Sequence, residues 1–464
     1  MNRGYKSIVF LISGTAALGG LLFGLDQGFI ANSLPTIQAV YRLDTRGAEG
    51  YSSILATGGV IGALLSGLLA RFLGRKRSLI LAGFIFTAGS LLSAFLLPLG
   101  AMMACRAALG FAVGIASFNV PLYLSETAPT RIRGSMGTLF QLMITIGIFL
   151  ISLTSVFIAR VVVSPERALP LMFGVIVVFA TLMFLGSLFL PESPRWLMLQ
   201  GRKEEAIGVL RRILATEEEV AAEIADIEAS VGTGGSSGRI VFKRYFLKVL
   251  VVGVLLQMFQ QLVGINVMIY YAPRIFGFAG LTGIVAMLTV PTVNMIFTFP
   301  AIRLVEKWGR KKLLYVGAVC MFVSMVAAGA AFRVIGASGD PSAAGKVPAV
   351  ILLVSVIVYI FGFAVSWGPV AWVVCSEIFP IQGREVGMTI TTMVNWTFAG
   401  LLMNNSLTFM QEHGNSSIFF VFSGFCLLAI LFVAGFVPET KGISLERIEA
   451  DLKAGKRMRD LGRV

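Results

Sequence analysis

Apolar and polar positions in this chain come in long blocks rather than in a short period. Twelve apolar stretches, each of roughly the 20 residues a helix needs to cross a bilayer, run over about 7–31, 50–70, 78–97, 99–121, 136–160, 168–190, 246–271, 281–304, 313–334, 348–376, 386–408 and 416–437. Short polar connections separate them, except for one longer polar segment. The pattern predicts an all-α integral membrane protein of twelve transmembrane helices in two six-helix, pseudo-symmetric halves. The halves occupy 1–190 and 246–437, with a cytoplasmic helical linker over 191–245 and a cytoplasmic tail over 438–464. Within the linker, Thr216 and Glu219 have the spacing of a capping box. Val220, Ile224, Ile227 and Val231 follow at helical intervals, and Gly232–Gly238 reads as a flexible connector.

Charge placement sets the topology. Arg71, Arg75, Lys76 and Arg77 follow the second stretch, and Lys307, Arg310, Lys311 and Lys312 follow the eighth. Lys441, Arg447, Lys453, Lys456, Arg457, Arg459 and Arg463 follow the twelfth. Cytoplasmic loops are enriched in Lys and Arg. An even number of spans puts all three clusters on one side, with both termini in the cytoplasm. The chain also repeats itself. Gly74-Arg-Lys-Arg77 returns as Gly309-Arg-Lys-Lys312, Ser125-Glu126 as Ser376-Glu377, and Pro191-Glu-Ser193 as Pro438-Glu-Thr440, about 235 to 251 residues later. Paired six-helix repeats are the sequence signature of a rocking transporter.

Composition agrees. Of 464 residues 56% are hydrophobic and 13% charged, with mean hydropathy +0.86, against about 25% charged in soluble domains. The net charge of +14 raises nucleic-acid binding, but the cations lie between apolar runs, so no nucleic-acid partner is expected. Cys105, Cys320, Cys375 and Cys426 lie in apolar runs without metal-ligand spacing, and His413 is the single histidine. No metal, cofactor or enzymatic activity is expected: there is no nucleotide-binding loop and no nucleophile–base set.

Six motifs in order resemble the sugar porter branch of the major facilitator superfamily. They are Gly19-Gly-Leu-Leu-Phe-Gly-Leu-Asp26, Gly74-Arg-Lys-Arg77, Pro191-Glu-Ser-Pro-Arg-Trp196, Gln260-Gln-Leu-Val-Gly-Ile-Asn266, Gly309-Arg-Lys-Lys312 and Pro438-Glu-Thr-Lys-Gly442. Gln141-Leu-Met-Ile-Thr-Ile-Gly147 and Ser444-Leu-Glu-Arg-Ile-Glu449 resemble the bacterial galactose– and arabinose–proton symporters within that branch. The resemblance implies a monosaccharide and a proton as the partners, in a multi-pass cell-membrane protein read here as a monomer.

Asp26 lies inside the first apolar stretch. A carboxylate at mid-bilayer costs about 2.5–3.5 kcal/mol on insertion scales, so it needs a partner and a reason. Arg106 in the fourth stretch is the candidate, and the resemblance implies that these two couple the proton. Sugar recognition asks for neutral hydrogen-bonding groups beside aromatic faces. Gln260, Gln261, Asn266, Tyr270 and Tyr271 supply both in one stretch. On an unbroken helix Gln261 and Asn266 would stand about 140° apart; a break near Gly264 lets them converge. The resemblance adds Phe23, Gln141, Asn294, Gly368, Trp372, Asn395 and Trp396 to the sugar site. Gly362, Gly368 and Pro369 predict an interruption that gates beside Trp372, with Tyr270 and Tyr271 closing the outer side.

The resemblance further implies that Glu126, Arg133, Arg195, Glu306, Arg310, Glu377 and Arg384 pair across the halves as a cytoplasmic lock. Two departures stand out: Arg71 occupies a position where many members carry Asp or Asn, weakening the first half's lock, and Glu166-Arg167-Ala168 replaces a Trp-Arg pair at the outer mouth. Proton-coupled sugar import by alternating access is the expected function. A passive uniporter with a structural Asp26–Arg106 pair is the alternative. A non-transporting sensor is disfavoured by the 26 residues after Pro438.

Overall fold

The computed structural model describes residues 3–127, 133–162, 164–232, 243–337, 346–380, 383–443, 445–458 and 461. The connector after Gly232 and the side chain of Arg133 lie outside the described residues.

The described residues form helices throughout. The first set is α1 (Arg3–Tyr41), α2 (Thr45–Phe72), α3 (Gly74–Ser93), α4 (Leu99–Thr127), α5 (Arg133–Val161) and α6 (Pro165–Phe189). Three short polar helices follow: α7 (Pro194–Leu199), α8 (Lys203–Ile213) and α9 (Glu217–Gly232). The second set is α10 (Arg244–Leu262), α11 (Ile265–Phe278), α12 (Ile284–Trp308), α13 (Arg310–Ala337), α14 (Lys346–Val365), α15 (Trp367–Ile378), α16 (Arg384–His413) and α17 (Ser417–Phe436), before α18 (Leu445–Lys453). Among the described residues ten spans, counting Arg244–Gly277 and Lys346–Ile378 as one each, are long and apolar enough to cross a membrane. Their outward faces are apolar: α17 exposes Leu427, Leu428, Leu431 and Phe436 while burying Phe422, Cys426, Ala429 and Val433. Such a surface is stable against lipid and not against water.

The two sets pack alike. α1 lies on α5, α2 on α4, and α3 on α4 and α6; in the second set α10 lies on α16, α12 on α14, and α13 on α14 and α17. The sets meet through α2 against α16 and α5 against α12, which are equivalent pairs under the repeat. α1 also reaches α11.

The repeated motifs build one arrangement twice. Glu192 accepts from the backbone N–H of Arg75 (2.9 Å) and Lys76 (3.1 Å), as Glu439 accepts from those of Arg310 (2.9 Å) and Lys311 (3.1 Å). Each acid therefore sits at a helix N-terminus, where orphan donors and the helix dipole favour it. The glycines before these helices, Gly74 and Gly309, have φ of +86° and +88°, and a Cβ on either would strike the carboxylate. Glycine meets both demands.

In the polar segment Glu219 bonds back to the N–H of Ala215 (2.9 Å) and the Thr216 hydroxyl accepts from Glu219 N–H (3.2 Å). The expected capping box is thus present, its glutamate reaching one residue further back. Trp196 anchors the segment to the first set, its indole N–H donating to Arg71 O at 3.0 Å.

Candidate functional site

Two helix breaks shape the centre of the molecule. Val263 ends the first half of the seventh stretch, Gly264 turns left-handed at φ +97°, and α11 restarts at Ile265. The ring of Phe422 lies where a Cβ of residue 264 would stand. Asn266, which an unbroken helix would aim elsewhere, donates through Nδ2 to Gln261 Oε1 at 2.6 Å. The second break is at Ser366 (φ −132°, ψ −88°), between α14 and α15. Pro369 is the third residue of α15, where a missing N–H leaves no helical bond unmade. Gly362 lies within α14 against Cys320 and Met321 and does not itself form the break.

The side chains around these breaks line a narrow cleft. Phe23, Gln27, Gln141, Ile144 and Ile148 face it from the first set. Gln260, Gln261, Ile265, Asn266, Ile269, Asn294, Phe363, Trp372, Asn395 and Trp396 face it from the second. Of the expected sugar residues, nine are brought together here and two are not. Tyr270 is fully buried away from the cleft, because the restart at Ile265 turns Ile265, Asn266 and Ile269 toward it instead. Gly368 contributes its carbonyl, which accepts from Gln260 Nε2 at 3.3 Å, rather than a lining surface.

The amides form a directed chain. Gln27 Nε2 donates to Asn266 Oδ1 (3.0 Å), Asn266 to Gln261, Gln261 Nε2 to Asn395 Oδ1 (3.0 Å), and Asn395 Nδ2 to Gln257 Oε1 (2.7 Å) and to Gln260. Gln260 Nε2 then donates to Trp367 O at 3.1 Å, beside the second break. Phe23 and Trp396 pack with ring centroids 5.0 Å apart, giving the cleft an apolar wall. Gln27 is an addition to the expected set: it follows Asp26 directly, and its signal in the sequence is a second polar side chain inside an apolar stretch.

Asp26 and Arg106 form a bidentate pair, Nη1–Oδ1 2.8 Å and Nη2–Oδ2 3.2 Å, with neither side chain exposed at all. The guanidinium lies 5.2 Å from the Tyr51 ring centroid. Arg106 Nε and the hydroxyls of Tyr51 and Tyr270 have no hydrogen-bond partner among the described residues. A proton-coupling acid is expected to face a shared cavity. In this conformation Asp26 is enclosed, and its neighbours Phe23 and Gln27 meet the cleft in its place.

The ion pairs at the charged end differ from the expected lock. Arg75 binds Glu126 (3.0 Å) and Arg310 binds Glu377 (2.8 Å) and Glu306 (3.1 Å), so these pairs stay within one set. Ser193 and Thr440 hydroxyls donate to Glu126 and Glu377 in turn. Arg195 reaches Glu223 of α9 at 3.4 Å. Among the described residues Arg75–Glu385 crosses between the sets at 2.9 Å, and neither partner belongs to the expected lock. The reason is Arg71. Where Glu306 occupies Arg310 in the second set, the first set has a cation, and the spare donor of Arg75 goes across instead. Tyr271 donates to Met403 O at 2.8 Å, tying α11 to α16 within the second set.

A family model described as "Sugar (and other) transporter" matches residues 12–452. The galactose-proton symporter of Escherichia coli (strain K12) is 40% identical over 467 aligned residues, covering 99% of this chain and 98% of its own. The arabinose-proton symporter of the same strain is 36% identical over 466, covering 99% and 97%. Among solved structures, the proton:xylose symporter XylE bound to 6-bromo-6-deoxy-D-glucose matches with a TM-score of 0.83 at 32% identity, covering 96% of this chain and 99% of that one.

Proposed function

The chain belongs to the sugar transporter family, and from that premise we propose that it carries a monosaccharide together with a proton across a cell membrane by alternating access. The observation that carries this reading is the cleft itself. Amides from both sets converge on it beside two indoles and two phenyl rings, and a buried acid stands one residue from the Gln27 amide. Sugar hydroxyls exchange hydrogen bonds with the amides, and the ring C–H face packs on Trp372, Trp396 and Phe23. The architecture is twelve spans, α1 and α3 joining the ten above, in two rocking halves with both termini on the cytoplasmic side. The carrier works as a monomer.

Coupling follows from the enclosed pair. Ionised Asp26 holds Arg106 in two charge-assisted bonds. A proton on Asp26 weakens both and leaves Arg106 to the Tyr51 face, which favours cations. α1, which carries both Asp26 and Gln27, is thereby released to move against α11. Asp26 takes the proton when the cleft opens to the outside and yields it when the cleft opens inward.

Asp26→Asn tests this. Protonophore-sensitive accumulation of a labelled hexose or pentose should fall to the equilibrium level, while exchange of sugar across the membrane persists. Accumulation above equilibrium in the variant overturns the role of Asp26. The complete enclosure of the pair favours a second reading, passive uniport. In that case sugar added to energy-depleted cells leaves the pH of the medium unchanged; symport makes it rise.

A further inference from the structure

Glu49 is a carboxylate that the transport reading does not use. It stands one turn into α2, at the end of the bundle away from Arg75 and Arg310, and its side chain is fully enclosed. An enclosed carboxylate is costly unless its oxygens are bonded. Here both are, and by the other half: Oε1 accepts from the backbone N–H of Thr408 at 2.9 Å and Oε2 from its hydroxyl at 2.5 Å. Arg46 on the same helix stands 3.6 Å away and is mostly exposed.

Thr408 lies inside α16, where an N–H ordinarily serves the carbonyl four residues back. A side chain inserted into that ladder is one of the identifiable causes of helix bending. The clasp therefore grips the backbone of α16 and not just a side chain. Two neutral contacts flank it, Ser53 with Asn404 (3.1 Å) and Gln411 with Thr45 (2.8 Å). They form a polar rim around an enclosed, charged centre. At the other end the same helix α16 is held by Arg75–Glu385. Residues 385 and 408 lie roughly 35 Å apart along α16 at 1.5 Å per residue.

We propose that Glu49 is the latch of the outer gate, holding α2 to α16 and so setting which side of the membrane the cleft opens to. This rests on the alternating-access reading for its meaning, but not for its test. Opening that end means rehydrating the carboxylate and freeing two donors of Thr408. Glu49 is a positioning residue: it touches neither sugar nor proton site and acts through the α2–α16 seam.

The test uses Ser52→Cys as a reporter. Ser52 is buried one turn further in than Glu49, beside Tyr271. A membrane-impermeant maleimide is added from outside, with the chain lacking Ser52→Cys as background. Glu49→Ala loses both charge-assisted hydrogen bonds and should speed labelling at the Ser52→Cys position by about a hundredfold. Thr408→Val, which keeps the N–H and loses the hydroxyl, loses one of them and should speed it by about tenfold. Thr408→Ser keeps both donors and should label at the parent rate. If Glu49→Ala does not reach the membrane, Thr408→Val against Thr408→Ser decides. Unchanged labelling in the variants, with only a lowered melting temperature, overturns the latch. Labelling that shifts in a protein whose wild type carries no monosaccharide leaves the latch standing and removes the transport reading; sugar transport with unshifted labelling does the reverse.

Discussion

At the scale of single residues, the polar side chains inside apolar stretches carry most of the information. Asp26, Arg106 and the amides of 260–266 stand out because each is expensive in a bilayer without a partner, and the structure gives each one a partner or a place on the cleft. Gln27 belongs with them. Its amide joins α1 to Asn266 across the cleft. Gln27→Leu keeps the volume and removes the amide that would exchange this bond for one to a sugar hydroxyl, worth about 0.5–1.5 kcal/mol. The half-saturation constant for the carried sugar should rise roughly three- to tenfold with accumulation still proton-driven, measured as initial uptake with and without a protonophore. An unchanged constant would remove Gln27 from the sugar site. What the sequence hides is rotation: Tyr270 looks like a cleft aromatic until the restart at Ile265 fixes the phase of α11 and points Ile269 there instead. Glu49 and Glu385 are hidden for a different reason. Each falls one residue outside an apolar stretch, over 50–70 and 386–408, because a hydropathy boundary retreats from charge. Both are in fact helical, on α2 and α16, and clasp the other half.

At the scale of elements, the breaks are legible because glycine and proline mark them, but their seats are not. The seventh stretch breaks at Gly264 as its spacing suggests, while the tenth breaks at Ser366, between the glycine and proline residues that announce it. Ser366 gives no composition signal; its carbonyl accepts the N–H of Val370 at 2.8 Å and its hydroxyl donates to Gly362 O at 2.6 Å, so it serves both helices. Gly264 has no such freedom. Its φ of +97° disfavours any side chain, and a Cβ would come within 2.5 Å of the Phe422 ring. Backbone conformation and overpacking together put the cost of Gly264→Ala at about 2–5 kcal/mol. The melting temperature of the purified carrier should drop, and sugar binding should weaken beyond that drop because Asn266 loses its aim at Gln261. Phe422→Leu in the same chain should restore part of the melting temperature by making room, and little of the binding. Full recovery of both would mean that the left-handed turn does not matter and the clash alone does.

At the scale of the whole molecule, α16 is the beam on which the two ends of the cleft are balanced. One end is held by Glu385 and the other by Thr408, against α3 and α2 of the opposite half. The contrast between Glu126 and Glu385 separates fold from function. Glu126 is buried beside Arg75, so Glu126→Gln leaves that buried cation Glu385 as its charged partner and should cost about 1.5–3 kcal/mol of stability. Glu385 is 39% exposed, and such pairs contribute about 0–1 kcal/mol. Glu385→Gln should therefore leave the melting temperature nearly unchanged and yet raise inward opening, read as labelling of a cytoplasmic-side cysteine, by up to about fivefold. A stable carrier sits near balance between its two openings, so a contact too weak to matter for folding still moves it. Loss of Glu385 favours the opening at the arginine end, and loss of Glu49 favours the opposite one. Since each acts on the same equilibrium through the same helix, Glu49→Ala with Glu385→Gln should label from both sides at rates between those of the single variants. Two independent gates would instead show both single effects in full, and that outcome would separate the ends of α16 into unrelated contacts.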